Sequence, residues 1–523
     1  MTRAHQPVVE RRSGARRGRA AAVLATVLAA AVALTGCVSA FIPERSATST
    51  PTGETVSAQL EPFYGQVLEW TACEGGFQCA TAIAPLDWSE PSRGEIDLAL
   101  IRSTAPSDPI GSLLINPGGP GGSGFDFVRD SVDFAASPRL QERYDIVGFD
   151  PRGVNRSSAV SCYDDPAELD AYLFDLPSAE PGTPEFIAES ERVTAAFGAA
   201  CLEHTGDLLG HVDTVSAAKD LDMLRAALGD ARLNYLGYSY GTLLGGTFAD
   251  LFPGKTGRLV FDGAIDPATT DFDVTRTQAE GFESALEAYL EDCLTSSACP
   301  FRGSVDDAAG DIAALLDSLD ASPLRATDGR QLGSRTMFYA IILPLYSAES
   351  WPVLTEMFAS VLQGEADYAF QLADSYYARD ADGVYADNST EAFIAINCLD
   401  YTSSGTPESR EEEAEQLAEV APVFGPTMSG GGTSCAEWPF ESTRERTEIA
   451  AEGSAPILVV GTTNDPATPY IWAQSLSEQL ENGHLVTYDG EGHTAYNKSN
   501  ACVDDAVDDF FLEGTVPRTD PLC

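Results

Sequence analysis

The apolar positions of this chain fall into two rhythms. Short runs bounded by Gly, Pro or Asp recur at Ser112–Asn116, Tyr144–Phe149, Leu233–Leu236, Arg258–Phe261, Pro456–Val460 and His484–Tyr488. Runs of this length predict buried strands. Between them lie segments of helical period. Thr214–Leu228 carries apolar Val215, Leu221, Leu224 and Leu228 behind Asp213 as N-cap, and Leu243–Phe252 follows the same period. Strands that alternate with helices predict a mainly parallel sheet with helices on both faces. From about Phe63 to Thr104 the pattern differs. Cys79–Trp88 and Glu95–Arg102 alternate, separated by Pro- and Gly-bearing turns, and predict strands with no helix between them.

The strand rhythm stops between residues 272 and 444, where the chain is helix-like and holds two cysteine pairs. This stretch is expected to be an inserted cap or lid. It would divide the core into an N-terminal part, residues 59–271, and a C-terminal part, residues 445–523. The acidic run Glu411–Glu415 within it reads as a solvated helix face.

The start of the chain is an address. Arg3, Arg11, Arg12, Arg16, Arg17 and Arg19 precede an apolar stretch from Ala20 to Gly36, the layout of a secretory signal over residues 1–36. The stretch ends in Leu34-Thr35-Gly36-Cys37, which resembles the lipobox of bacterial lipoproteins. The resemblance implies cleavage before Cys37, acylation of that cysteine and a lipid anchor at the outer face of the cell membrane, with release to the medium as the alternative. Residues 37–58, rich in Ser, Thr, Pro and Ala, read as a flexible tether.

Composition narrows the class. A chain of 523 residues, 44% hydrophobic and 21% charged, can bury a large core. Its 31 basic against 80 acidic residues give a net charge of −49, and Lys219, Lys255 and Lys498 are its only lysines. Such a surface repels anions and excludes a nucleic-acid partner, which needs clustered Lys and Arg. With Cys37 set aside for lipid, ten of the 11 cysteines remain, an even number that in an exported chain implies disulfides. The expectation is five bridges between sequence neighbours: Cys73–Cys79, Cys162–Cys201, Cys293–Cys299, Cys398–Cys435 and Cys502–Cys523. Spacing alone leaves other connectivities open. No C-x-x-C pair or histidine-rich cluster is present, so no metal site is expected.

The strongest chemical signal is Gly237-Tyr238-Ser239-Tyr240-Gly241, a G-x-S-x-G pattern between a strand and a helix. A serine on so tight a turn is pushed out of the surface, and glycines on either side remove the Cβ clashes. Serine needs a base. Of five histidines, His5 lies in the leader, His204 and His211 precede the serine, and His484 opens a strand. His493, in the glycine-flanked loop Gly490–Thr494, is the expected base. Asp465, just after the strand Ile457–Val460, is the expected acid, with Asp489 as its rival. Tyr240 N–H and the glycine-rich loop Asn116–Gly124 are placed to hold an oxyanion. No lysine follows that loop, so it is no Walker-type phosphate cradle, and no cofactor is called for.

Together Asn116–Gly124, Phe149-Asp-Pro-Arg-Gly-Val154, Gly237–Gly241, Asp465–Pro469 and Gly492-His493 resemble the actinobacterial tripeptidyl-aminopeptidase group of the proline-iminopeptidase-like α/β-hydrolases. The family's H-G-G-P-G loop matches Pro117–Gly121, with Pro117 in place of the histidine. The resemblance covers about Phe63 to Cys523. It implies an α/β-hydrolase fold with an inserted, mostly helical cap, a triad of Ser239, Asp465 and His493, and Gly119 as the second oxyanion donor. It further implies a serine exopeptidase that trims short peptides from free N-termini, with a carboxylesterase or lipase as the alternative. Family members meet the substrate α-ammonium with cap or loop carboxylates. Glu349 and Asp400 are the candidates here, each with a structural role as its alternative.

Overall fold

The computed structural model describes residues 47–179, 183–402, 407–429, 435, 437–442 and 446–523. The expected signal 1–36, Cys37 and the first part of the tether lie outside the described residues. Thr48–Cys523 form one compact unit.

Nine strands of the ten-stranded sheet, besides a two-residue edge strand, carry the architecture: β1 Glu69–Cys73, β2 Phe77–Pro85, β3 Glu95–Ser103, β4 Ser112–Asn116, β5 Asp145–Phe149, β6 Leu233–Tyr238, β7 Thr256–Asp262, β8 Ile457–Asn464 and β9 Gly483–Glu491. Their spatial order is β1-β2-β3-β5-β4-β6-β7-β8-β9. The first four pair antiparallel, and from β5 onward every pairing is parallel. Parallel strands need crossovers, and the helices Gly124–Ala135, Thr214–Leu228, Tyr240–Leu251 and Tyr470–Gln479 supply them. The central strands are buried on both faces, which is why they read as unbroken apolar runs rather than alternating ones. Thr214–Leu228 begins after an Asp213 side chain that accepts from Ser216 N–H, as the sequence signals.

Between β7 and β8 the described chain is mostly helical, with helices Asp271–Thr295, Val305–Ala321, Ser334–Leu345, Trp351–Val361, Asp367–Tyr376, Ser389–Asp400 and Pro407–Val420. A second excursion, not expected, leaves the core after β5. Its helices Pro166–Phe174 and Pro184–Thr205 join the inserted helices. Arg379 grips Asp170 through two bonds of 2.7 Å, and Glu391 accepts from Cys162 N–H at 2.6 Å. The covering layer is therefore built from two stretches of chain.

The tether expected over residues 37–58 is corrected in its second half. Thr52 N–H donates to Ala226 O at 2.9 Å, and Glu54 pairs with Arg225 and Lys255 at 2.7 Å each, so this polar segment is docked on the core. The five disulfides join Cys73–Cys79, Cys162–Cys201, Cys293–Cys299, Cys398–Cys435 and Cys502–Cys523.

Arg152 of the Asp-Pro-Arg-Gly segment is fully buried. It meets Asp220 through two bonds of 2.7 Å and donates to the carbonyls of Pro85, Leu86 and His211. Removing one member of a buried pair leaves an uncompensated charge. Arg152→Ala is therefore expected to lower unfolding stability by roughly 3–5 kcal/mol, read by chemical denaturation.

Candidate active site

Ser239, Asp465, His493 and the glycine-rich loop each follow the C-terminal end of a parallel strand, the edge where ligands sit in open α/β sheets. Ser239 stands between β6 and helix Tyr240–Leu251 with φ 53° and ψ −124°, a backbone that L-residues rarely adopt. The turn is over-determined. Ser239 N–H donates to Asp262 O at 2.9 Å, and Thr242 returns both its N–H and its hydroxyl to Ser239 O at 2.8 and 2.6 Å. A Cβ on Gly237 would lie 2.4 Å from Gly241 O, which is why glycine stands on each side. The Ser239 hydroxyl is half-buried and has no hydrogen-bond partner among the described residues.

His493 and Asp465 are directly joined. His493 Nδ1 lies 2.9 and 3.0 Å from the two Asp465 oxygens. The carboxylate also accepts from the N–H groups of Ala467, Thr468 and Thr494 and from the Thr468 hydroxyl, at 2.8–3.1 Å. Burial would raise its pKa, but the imidazole and these donors outweigh burial and hold Asp465 below the usual carboxylate range. His493 keeps 12% of its side chain accessible, enough to reach a substrate while its Nδ1 face is covered. The His493 main-chain N–H donates to Tyr346 O at 2.9 Å, and the Tyr346 ring meets the imidazole edge-on at 5.2 Å. The imidazole ring lies over Gly263, where a Cβ would come within 3.2 Å of His493 Cε1, one residue past Asp262, whose main-chain oxygen accepts from Ser239 N–H. No hydrogen bond joins Ser239 to His493. Such bonds are often long until substrate is bound.

The glycine-rich loop lies against the same turn. Asn116 Oδ1 accepts from Gly118 N–H at 2.9 Å, and a Cβ on Gly118 would fall 2.8 Å from Ser239 Cβ. Gly118, Gly119 and Gly121 all have positive φ, so the loop can approach the serine only as glycine. Asp150 holds the loop from below, accepting from Ser123 Oγ at 2.5 Å and from Phe125 N–H at 3.1 Å.

Tyr240 is buried with its hydroxyl 2.5 Å from Thr214 Oγ1. Asp400, fully buried, accepts from Thr214 N–H at 3.0 Å and from the Thr214 hydroxyl. It sits beneath the turn, not in the opening above it. Glu349 is exposed three residues past Tyr346 and accepts from Ser347 Oγ. His204 contacts Asp164 far along the chain from this edge, and His484 stays on β9. Asp489 meets Thr463 at 3.2 Å, not His493.

Sequence reasoning missed Asp262. Its main-chain oxygen holds the Ser239 turn, and its carboxylate accepts from Ala495 and Tyr496 N–H at 2.8–3.0 Å, just past His493. The available signal was its place at the end of the apolar run Arg258–Phe261. It also missed Thr468, Tyr346 and helix Asp271–Thr295, which steadies the acid's loop through Gln278 on Ala467 O at 2.8 Å.

Comparison with known proteins fixes the family. Residues 111–324 match the model of the alpha/beta hydrolase fold and residues 421–523 that of the TAP-like protein. Serine protease Hip1 of Mycobacterium tuberculosis is 37% identical over 88% of this chain and 92% of its own. The chain belongs to the TAP-like serine α/β-hydrolases. Carboxylesterase B of Mycobacterium tuberculosis is 36% identical over 85% of this chain and 86% of its own. Tripeptidyl aminopeptidase of Streptomyces lividans is 28% identical over 87% and 86%. This hydrolase has no helix among its described residues long and apolar enough to cross a membrane.

Burial pushes the Asp262 carboxyl up to about 6. An unfolded Asp titrates near 3.9, so the folded state binds the extra proton between about pH 4 and 6, and this group's contribution to stability falls as pH rises through that window. Asp262→Asn is expected to remove that slope from a plot of Tm against pH. It should also cost about ten-fold in kcat, because the amide presents an N–H to a backbone N–H. An unchanged slope would show that Asp262 does not titrate there.

Proposed function

We propose that this hydrolase cleaves short peptides from free N-termini by acyl transfer. His493 takes the Ser239 proton as the hydroxyl attacks the scissile carbonyl, with Asp465 holding the imidazole tautomer. The N–H groups of Gly119 and Tyr240 receive the oxyanion. His493 then protonates the leaving amine, and water attacks the acyl-enzyme with His493 again as base. The observation that carries this reading is the bond between His493 Nδ1 and a buried, charged Asp465 beside a serine turn at φ 53°.

The peptidase assignment draws on the names of two relatives, serine protease Hip1 and tripeptidyl aminopeptidase, and the action at a free N-terminus on the second name alone. That action also draws on Glu349, an exposed carboxylate near Tyr346 that is suited to an α-ammonium. Asp400 is engaged by Thr214 and is left a structural part. The second reading, a carboxylesterase, is favoured by the relative named carboxylesterase B. The chain is further proposed to be exported and tethered by lipid on Cys37.

Free-amine tripeptide nitroanilides should turn over, N-blocked ones should not, and Ser239→Ala should reduce the rate at least about a thousand-fold. Turnover of nitrophenyl esters alone would select the esterase reading. Cys37→Ala should move the protein from the membrane pellet to the soluble fraction; an unchanged distribution would refute the anchor.

A further inference from the structure

Arg335 stands on helix Ser334–Leu345, whose last turn leads to Tyr346 and so to His493. It is exposed, yet tyrosines surround it: Tyr339, one turn along the helix, with Tyr377 and Tyr172. From there aromatic rings run without a break toward the imidazole. Tyr339 meets Tyr376 at 4.8 Å and Tyr377 at 5.0 Å, the hydroxyls of Tyr376 and Tyr346 face each other, and Tyr346 meets His493 at 5.2 Å. Tyr172, Tyr339, Tyr346 and Tyr376 each keep part of their surface accessible, so this row of rings is not sealed in the core.

Arg335 differs from the arginines nearest it in having no acidic partner. The chain holds 80 acidic residues against 31 basic ones. The neighbouring arginines are well paired. Arg330 holds Asp374 through bonds of 2.6 and 2.7 Å, and Arg379 holds Asp170 through two of 2.7 Å. Among the described residues, none of the ion pairs includes Arg335, and no ring stacks under its guanidinium as Phe370 does under Arg330 at 4.2 Å. A guanidinium presents a fork of N–H donors matched to a carboxylate; Arg335 donates to the Tyr339 hydroxyl, and no carboxylate among the described residues meets it.

We propose that Arg335 binds a carboxylate of the substrate, with hydroxyls of the surrounding tyrosines as further donors. The spacing suits a peptide. The helix rises about 16 Å from residue 335 to residue 346 at 1.5 Å per residue, and three extended residues span about 10 Å before side chains add reach at each end. The carboxylate is either an acidic side chain two or three residues from the scissile bond or a free C-terminus. The inference rests on the hydrolase site proposed above and adds its substrate class.

The test compares matched substrates in the wild-type protein, Arg335→Gln and Arg335→Lys. One arm uses peptide nitroanilides with Glu or Gln two and three residues from the cleaved bond. A second uses peptides with free or amidated C-termini, with products identified by mass. A third places the Glu/Gln pair in nitrophenyl esters. The wild-type protein should favour the carboxylate in kcat/KM at least ten-fold, through KM, and the arm in which it does so names the source. In Arg335→Gln that ratio should fall toward one, with Arg335→Lys intermediate. A ratio taken within one protein is insensitive to its folded fraction. A wild-type ratio near one in every arm, or a ratio unaltered by Arg335→Gln, overturns the proposal. Turnover of esters alone refutes the peptidase reading, while the ester pair still tests Arg335.

Discussion

Asp262 ties the two halves of the site together. Its main-chain oxygen fixes the Ser239 turn, and its carboxylate fixes the chain immediately beyond His493. The proposed nucleophile and base come from strands far apart in sequence, and their relative position must hold to a fraction of an ångström. A single buried side chain on the intervening strand meets that need. The cost is a charge deep in the core, visible in its raised pKa. Asp465 meets the same problem differently. Surrounded by N–H groups, a hydroxyl and the imidazole, it remains ionised despite equal burial.

The glycine-rich loop and the helical cover extend this logic outward. The loop can touch the serine only because its residues lack Cβ, and Gly121 continues the contact to the cover, where a Cβ would lie 2.5 Å from Ser389 O. Helix Asp271–Thr295 braces the acid's loop, and Tyr346 braces the imidazole. The covering helices therefore do more than shade the opening. They supply part of the packing that orients the proposed triad, and they carry the tyrosine row that leads to Arg335.

Much of this was legible in the sequence. Strand ends next to Gly237–Gly241, Asp465 and His493 marked the site because turns at the edge of a parallel sheet leave local signatures: glycines, a capping residue, an apolar run cut short. Helix Thr214–Leu228 was readable to the residue, since its cap and its period agree. What escaped depends on contacts between distant segments. Asp262 looks like any strand-ending acid until Ala495 and Tyr496 are seen to donate to it. Asp400, offered for a substrate α-ammonium with a structural role as the alternative, is buried on Thr214. The second excursion after β5 has no signature apart from its partners, and Glu54 gave a polar segment the means to dock through Arg225 and Lys255.

The most direct measurement is covalent capture. Treating the protein with diisopropyl fluorophosphate and mapping the adduct by peptide mass should find one modified residue, Ser239, with labelling slowed by orders of magnitude in His493→Ala and in Asp465→Asn. An adduct on another serine, or labelling of Ser239 indifferent to His493, would contradict the assignment of the triad.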